Sequence, residues 1–111
     1  MNFGRLFYFV TLNHFYFLVP PSLIRKPSDQ TIIEGQELKF HCTATGNPAP
    51  TITWMKNGKT LVQGDTLNFK ANKSNSGKYW CFAENGLDIS ANSSTYLDVQ
   101  CKYIIHCRTT Q

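Results

Sequence analysis

The sequence of 111 residues contains few charged side chains and no recognisable catalytic motif. Asp, Glu, Lys and Arg together account for 16% of the residues. The acidic residues are scattered, no serine lies in a nucleophile-elbow pattern, and there is no glycine-rich phosphate loop. These absences argue against an enzyme, and they leave no catalytic residue and no cofactor to predict.

The sequence also lacks the basic stripe that is expected of a nucleic-acid-binding protein. The formal net charge is +4 at pH 7. Residues 20–100 contain eight Lys and Arg against seven Asp and Glu, a net of +1, and Arg5, Lys102 and Arg108 supply the other +3. Because the central part of the chain is nearly neutral, we expect no nucleic-acid partner.

No uninterrupted apolar run is long enough to cross a membrane as a helix. The aromatic and aliphatic stretch 3–19 is interrupted by Asn13 and His14, and it falls short of the roughly 20 residues that a spanning helix needs. It is a poor secretory signal, since no small-x-small cleavage site precedes Pro20. We therefore expect residues 1–19 to be a non-domain flank, and we expect the domain itself to make no membrane contact.

A translated intron is the alternative to a signal-like segment. Residues 15–19 can be encoded as a pyrimidine-rich tract that looks like a splice acceptor, and residues 101–103 as TGT-AAG-TAT, which contains a consensus splice donor. On this hypothesis the chain is one exon of a larger protein, with a flank at 1–19, a domain at 20–100 and a non-domain tail at 101–111. Genomic sequence with other bases at these junctions would contradict it.

What the sequence does contain is a series of short strand-like segments separated by turn residues. Alternation within residues 38–44 and 79–83 points Cys42 and Cys81 inward on separate strands. Two inward cysteines suggest a bridge between two sheets, with Trp54 packed against it, although the four cysteines allow three connectivities. Seven or more short strands, without a convincing helix pattern, predict an all-β sandwich.

At these residues the sequence resembles the immunoglobulin superfamily, and more narrowly its intermediate set (I-set), which is found in cell-adhesion molecules and receptor ectodomains. The resemblance rests on Cys42, Trp54 and residues 75–81, Asn-Ser-Gly-Lys-Tyr-Trp-Cys, which are similar to the D-x-G-x-Y-x-C signature of the family. It implies a two-sheet Greek-key sandwich with one inter-sheet disulfide, a core tryptophan at Trp54 and a tyrosine corner at Tyr79. The chain departs from the family pattern at Asn75, where Asp is usual, and in a slightly shorter connection ahead of it.

The resemblance also implies a function and a location. The expected function is an extracellular protein-recognition module, a fragment of a larger adhesion molecule or receptor, with a homophilic or heterophilic protein partner. The alternative is a structural spacer repeat without a ligand of its own, like the intracellular immunoglobulin domains of muscle filaments. The cysteines favour an extracellular location, secreted or on a cell surface, because the cytosol would leave the bridge unmade.

Two short motifs predict N-glycosylation. Asn72-Lys73-Ser74 and Asn92-Ser93-Ser94 are acceptor sequences, and neither has proline in the middle position. Asn72 falls in a predicted loop. Asn92 falls on a predicted strand, on the same face as Ser94 and Tyr96.

Four large side chains are predicted to share the outer face of one sheet. The alternation that sends Tyr79 inward sends Trp80 and Phe82 outward. Met55 and Tyr96 are expected on the same face, and we call Met55, Trp80, Phe82 and Tyr96 the outer patch. Such a patch commonly marks an interaction surface. The alternative is that lysine stems, sugar or an adjacent domain shield these side chains.

The histidines and the remaining cysteines do not form a convincing metal site. Cys101 and Cys107 are too far apart in the sequence for a zinc-knuckle pair, and His41 alternates outward on its strand. His14 and His106 complete the set. We expect solvated histidines and no metal, with pairing between the two tail cysteines as an open possibility.

Overall fold

The computed structural model of the chain describes residues 7–11 and 14–103, with side chains from Phe17 onward. In chain order these residues form ten strands and one 3₁₀ turn. The elements are β1 (Phe7–Thr11), β2 (His14–Arg25), β3 (Gln30–Ile33), β4 (Glu37–His41), β5 (Thr43–Asn47), β6 (Thr51–Lys56), β7 (Lys59–Gln63), β8 (Thr66–Lys70), the 3₁₀ turn (Lys73–Asn75), β9 (Gly77–Glu84) and β10 (Ala91–Gln100).

The strands form two layers. One layer is a five-stranded sheet in the order β3-β10-β9-β6-β7, in which only the β3–β10 pair is parallel. The facing layer contains the pair β4-β8 and the paired strands β2 and β5, and β1 pairs with the first part of β2. These two pieces are continuous through the chain, because β4 and β5 are separated only by Cys42. The predicted all-β sandwich is confirmed.

The core lies between the layers and is organised around aromatic rings and one disulfide. Phe40 stacks on Trp54 with ring centroids 5.8 Å apart, and Tyr79 lies 5.8 Å from Phe40 on another side. A disulfide joins Cys42, at the β4–β5 junction, to Cys81 of β9, so the predicted inter-sheet bridge is confirmed. All five of these residues are at most 2% exposed, so this centre contributes hydrophobic stabilisation through large buried side chains.

A two-residue turn connects β6 to β7. Asn57 and Gly58 have φ angles of 54° and 77°, and the flanking residues Lys56 and Lys59 are register partners. Positive φ at both central positions is the type I′ geometry that matches strand twist, and Asn-Gly is its favoured sequence. The predicted hairpin is therefore present, and its second strand is exposed along its whole length.

The first long strand begins earlier than the sequence pattern indicates. We expected a strand from Pro20, whereas β2 begins at His14, because β1 pairs with its first part and β5 with the rest. The next predicted segment does not continue this strand in the same sheet. After Pro27 the chain crosses to the other layer, where β3 pairs with β10, since proline cannot donate to a continuing ladder. The domain boundary at residues 19 and 20 stays a prediction.

The connection into β9 is made by the 3₁₀ turn and its caps. The Asn72 side chain accepts a hydrogen bond from Ser74 N (3.0 Å), and the Asn75 side chain accepts one from Asn72 N (2.8 Å), which closes a capping box. The Asn75 carbonyl then accepts the Tyr79 hydroxyl at 2.6 Å and Lys56 Nζ at 3.1 Å. The departure from Asp to Asn thus leaves residue 75 with a local structural role.

Candidate recognition face

Strand β9 divides its side chains between the core and the solvent. Tyr79, Cys81 and Ala83 are buried, whereas Trp80 and Phe82 on the other side are half-buried. The strand is central in its sheet, with β6 on one side and β10 on the other. The side chains on its outer face therefore have neighbours on both flanking strands.

The cross-strand register assembles three of the four members of the outer patch directly. Met55 of β6 is the register partner of Trp80, and Thr53 is the partner of Phe82. Because directly opposed residues on one face have Cβ atoms about 4.5 to 5.5 Å apart, the methionine and the two rings form one continuous surface. The structure thus places Met55, Trp80 and Phe82 together.

Trp80 and Phe82 form a stacked pair on this surface. Their ring centroids are 5.9 Å apart and their planes differ by 23°, which is an arrangement that contributes about 0.5 to 1.5 kcal/mol beyond area burial. Lys78 Nζ lies 5.8 Å from the Trp80 centroid, so a cation covers part of the indole. The pair is therefore pre-arranged, and it is only partly shielded.

Tyr96 lies at the border of the outer patch. It is 50% exposed and is opposite Lys78 in the β9–β10 register, so it is a diagonal neighbour of Trp80. Asp29 holds this part of β10, since its carboxylate accepts hydrogen bonds from Tyr96 N (2.8 Å) and Thr95 Oγ1 (3.2 Å). The sequence pattern did not single out Asp29, because its partners lie 66 and 67 positions away along the chain.

A groove runs beside the outer patch. It has a volume of about 370 Å³ and lies between β6, β7, the end of β9 and Ser90, which precedes β10. Met55 and Phe82 contribute apolar wall, and Glu84 contributes a carboxylate; the remaining lining residues are Thr53, Thr60, Gln63 and Ser90. Sequence reasoning missed this groove, because its lining comes from four separate segments.

The two predicted glycosylation acceptors occupy different kinds of position. Asn72 is exposed at the 3₁₀ turn, and its side-chain oxygen accepts hydrogen bonds from Ser74 N and Ser74 Oγ, both at 3.0 Å. Asn92 is exposed on β10 and is opposite Phe82 in the register. Both side chains are accessible to modification, and glycosylation of either stays a prediction.

The structure does not assemble a metal site from the histidines and cysteines that it describes. His41 Nδ1 lies 3.3 Å from the Thr66 hydroxyl, and Cys101 is disulfide-bonded. Within residues 7–11 and 14–103, no three His, Cys, Asp or Glu side chains are grouped so that they could hold a metal ion. The predicted roles of the His14 side chain, His106 and Cys107 lie outside the described residues.

Two packed sheets joined by a disulfide, with a tryptophan and a tyrosine against the bridge, define an immunoglobulin-type sandwich. Comparison with known proteins agrees, because a family model described as "Immunoglobulin domain" matches residues 20–85, which is more than half of the 111 residues. The chain belongs to this family. The match starts at Pro20 and ends at Asn85, so it includes Cys42, Trp54 and Cys81.

Individual relatives are large multidomain proteins. The chain is 36% identical to the human netrin receptor DCC over 77 residues, covering 61% of this chain and 5% of the receptor. It is 33% identical to mouse contactin-1 over 84 residues, covering 76% of this chain and 8% of that protein. The chain thus spans less than a tenth of the length of either relative.

A solved structure of a related fold is that of Dpr2 Ig1-Ig2 in complex with DIP-Theta Ig1-Ig3. One of its chains matches with a TM-score of 0.67 and 33% identity, covering 74% of this chain and 32% of that one. The immunoglobulin-domain family, which occurs in adhesion and receptor proteins, is non-enzymatic, and the prediction of a non-enzymatic chain is confirmed on that ground. Within the described residues no helix is long and apolar enough to cross a membrane.

Proposed function

We propose that this chain is an extracellular protein-recognition module and that it binds its partner through the outer patch. The observation that carries the proposal is the stacked Trp80–Phe82 pair, half-buried in the middle of the five-stranded sheet. Large aromatic residues are enriched at protein interfaces, where they bury much area at a low cost in conformational entropy. A pair already stacked in the free protein loses little freedom on binding.

The charges on either side of the Trp80–Phe82 pair indicate which charges a partner surface should carry. Along the outer side of β9 the order is Lys78, Trp80, Phe82, Glu84, so a cation and a carboxylate lie at opposite ends of the aromatic centre. A complementary surface has an apolar centre flanked by an acidic and a basic group in the reverse order. A second copy of this chain, turned antiparallel, meets that description, and so does an unrelated protein with the same pattern.

Two observations support the extracellular location. The Cys42–Cys81 bridge requires an oxidising compartment. The relatives include a protein whose name identifies it as a netrin receptor, and the matching solved chain comes from a complex of two immunoglobulin proteins, Dpr2 and DIP-Theta. Recognition of proteins by this kind of sandwich is therefore the function that fits both the chemistry and the family.

A spacer repeat is the second candidate, and one contact favours it. The ammonium of Lys78 lies over the Trp80 ring, which covers part of the surface that a partner would use. In a spacer the outer patch would have no ligand, and its aromatic rings would serve only the stability of the sheet.

A binding screen separates the two candidates. The full chain, secreted from eukaryotic cells behind an independent signal peptide and displayed as a multivalent probe, is tested against a panel of cell-surface ectodomains that includes the chain itself. Each assay uses the probe with and without its N-glycans. We expect Trp80→Ala to abolish the interactions that are found, because the centre of the outer patch is lost.

Ile24→Ala is the matched control for the screen. Ile24 is an apolar side chain that is 68% exposed on β2, in the other layer of the sandwich. This control should bind as the unmodified chain does. Partners that are retained by Trp80→Ala would contradict the proposed binding face, and a panel without any partner for either glycoform would favour the spacer.

A further inference from the structure

One predicted glycosylation motif lies alongside the aromatic pair. In the β9–β10 register Asn92 is opposite Phe82, and Ser94 is opposite Trp80. The acceptor asparagine and the hydroxyl residue that completes the motif therefore both lie on the outer side of the sheet, next to the two stacked rings. Directly opposed side chains on one face are about 5 Å apart at Cβ, and diagonal ones about 7 to 8 Å.

The sheet leaves room for a sugar at this position. Strand β3 pairs with β10 only from Leu97 to Gln100. At residues 91–94 the described strands include a partner for β10 on one side only, which is β9. A glycan on Asn92 thus starts at an open sheet edge, from an exposed side chain, and one neighbouring surface on which it can lie is the outer patch.

We propose that an N-linked glycan on Asn92 covers the Trp80–Phe82 pair. Its attachment forms a bond between Asn92 Nδ2 and the anomeric carbon of a lipid-pyrophosphate-linked oligosaccharide. The carbon–oxygen bond to the pyrophosphate breaks, the lipid pyrophosphate leaves, and the amide loses one proton. The first sugars then place weakly polarised C–H groups against the electron-rich faces of the rings.

The consequence for binding rests on the proposed function. If the outer patch is the partner surface, a sugar on Asn92 and a protein partner compete for the same rings. Occupancy of Asn92 then decides how much of the secreted chain can bind. A glycan also covers the free edge of β10, where unpaired backbone groups would otherwise be available to another strand.

The other motif provides an internal comparison. Asn72 precedes the 3₁₀ turn, at the end of the sheet where β9 begins. Trp80 is three residues into β9 and Phe82 is five, roughly 10 and 17 Å along the strand at about 3.3 Å per residue. A glycan on Asn72 therefore starts farther from both rings than one on Asn92, which is the register partner of Phe82, and it is not expected to cover them.

Tryptophan fluorescence can report this coverage without any binding partner. The chain has two tryptophans, and since Trp54 is 0% exposed, acrylamide quenching reports mainly on Trp80. The full secreted chain is compared with Ser94→Ala and Asn92→Gln, which both lack the acceptor, and with protein whose glycans have been released enzymatically. We expect the quenching constant to rise about twofold without the glycan, because one face of the indole becomes accessible.

Ser74→Ala is the matched control, since it removes the other motif and should leave quenching unchanged. Glycopeptide mass spectrometry must show sugar on Asn92, and its absence would overturn the proposal. Equal quenching with and without that sugar would overturn it as well. Binding by Trp80→Ala, measured in the Ser94→Ala background, tests the proposed function separately. Coverage of the rings by the glycan and partner binding through the outer patch can therefore each be contradicted without the other.

Discussion

The inner and outer faces of β9 differ in how deeply their side chains are buried. On the inner face Tyr79, Cys81 and Ala83 are each at most 2% exposed, and this face is held by the disulfide, by the tilted contact of the Tyr79 and Phe40 rings and by a hydrogen bond. On the outer face Trp80 and Phe82 are as large and apolar as the core residues, yet they remain half-buried. Folding explains the inner residues, whereas the outer ones are the residues to which we assign the proposed recognition role.

The contrast between the two faces of β9 should be largest in the free energy of unfolding that the inner-face disulfide contributes. Replacing both cysteines, Cys42→Ala with Cys81→Ala, removes a bridge between residues 39 positions apart. We expect the free energy of unfolding to fall by about 2 to 5 kcal/mol, because the unfolded chain gains conformational freedom and the core loses two buried sulfurs. Denaturant unfolding followed by fluorescence measures it. A loss below about 1 kcal/mol would show that the bridge matters little to the inner face.

Removing the hydroxyl of Tyr79, also on the inner face, should lower the free energy of unfolding by less than removing the disulfide does. It donates a 2.6 Å hydrogen bond to Asn75 O at the entry to β9. Tyr79→Phe keeps the ring and removes this bond, so we expect a loss of about 1 kcal/mol in the free energy of unfolding. Tyr96→Phe, at the exposed ring of the outer patch, is the control and should change stability little.

The same hydroxyl makes stability depend on pH. Burial raises the pKa of Tyr79 above its ordinary value of 10.0. The unfolded chain therefore loses this proton first, and the free energy of unfolding should fall as the pH rises above about 10. Unfolding measured from pH 8 to 11 should show a shallower fall for Tyr79→Phe than for the unmodified chain. Identical slopes would mean that Tyr79 does not contribute.

Outer-face substitutions should cost still less stability. Trp80→Ala, Phe82→Ala and the double variant form a cycle for the stacked pair, whose centroids are 5.9 Å apart. We expect a coupling free energy of about 0.5 to 1 kcal/mol from denaturant unfolding. A coupling free energy of several kcal/mol would contradict the contrast between the two faces, because the outer rings would then stabilise the fold as strongly as core residues do.

Alternation along single strands was enough to predict much of this structure. It placed Cys42 and Cys81 inward, and Asn57-Gly58 predicted the type I′ hairpin, because these signals depend on neighbouring residues alone. The same reasoning placed Trp80 and Phe82 on the outer side of β9. It could not show that their rings stack, since that depends on side-chain rotation.

Features that depend on distant residues could not be predicted in this way. Asn85 Nδ2 donates to Val19 O (2.8 Å) and to Pro48 O (3.0 Å), across 66 and 37 positions. A Cβ at Gly46 would lie 3.1 Å from that same Val19 oxygen. The groove beside Met55 likewise needs four segments to meet. No local pattern encodes such contacts.

The most direct test of the recognition face is to measure folding and binding on one variant, Trp80→Ala, in the Ser94→Ala background, which lacks the Asn92 acceptor. Denaturant unfolding gives the stability, and binding to a partner from the ectodomain panel gives the affinity. We predict a change of about 1 kcal/mol or less in the free energy of unfolding, with affinity reduced at least about tenfold. Unchanged affinity with a large loss of stability would contradict the account, because Trp80 would then belong to the fold and not to recognition.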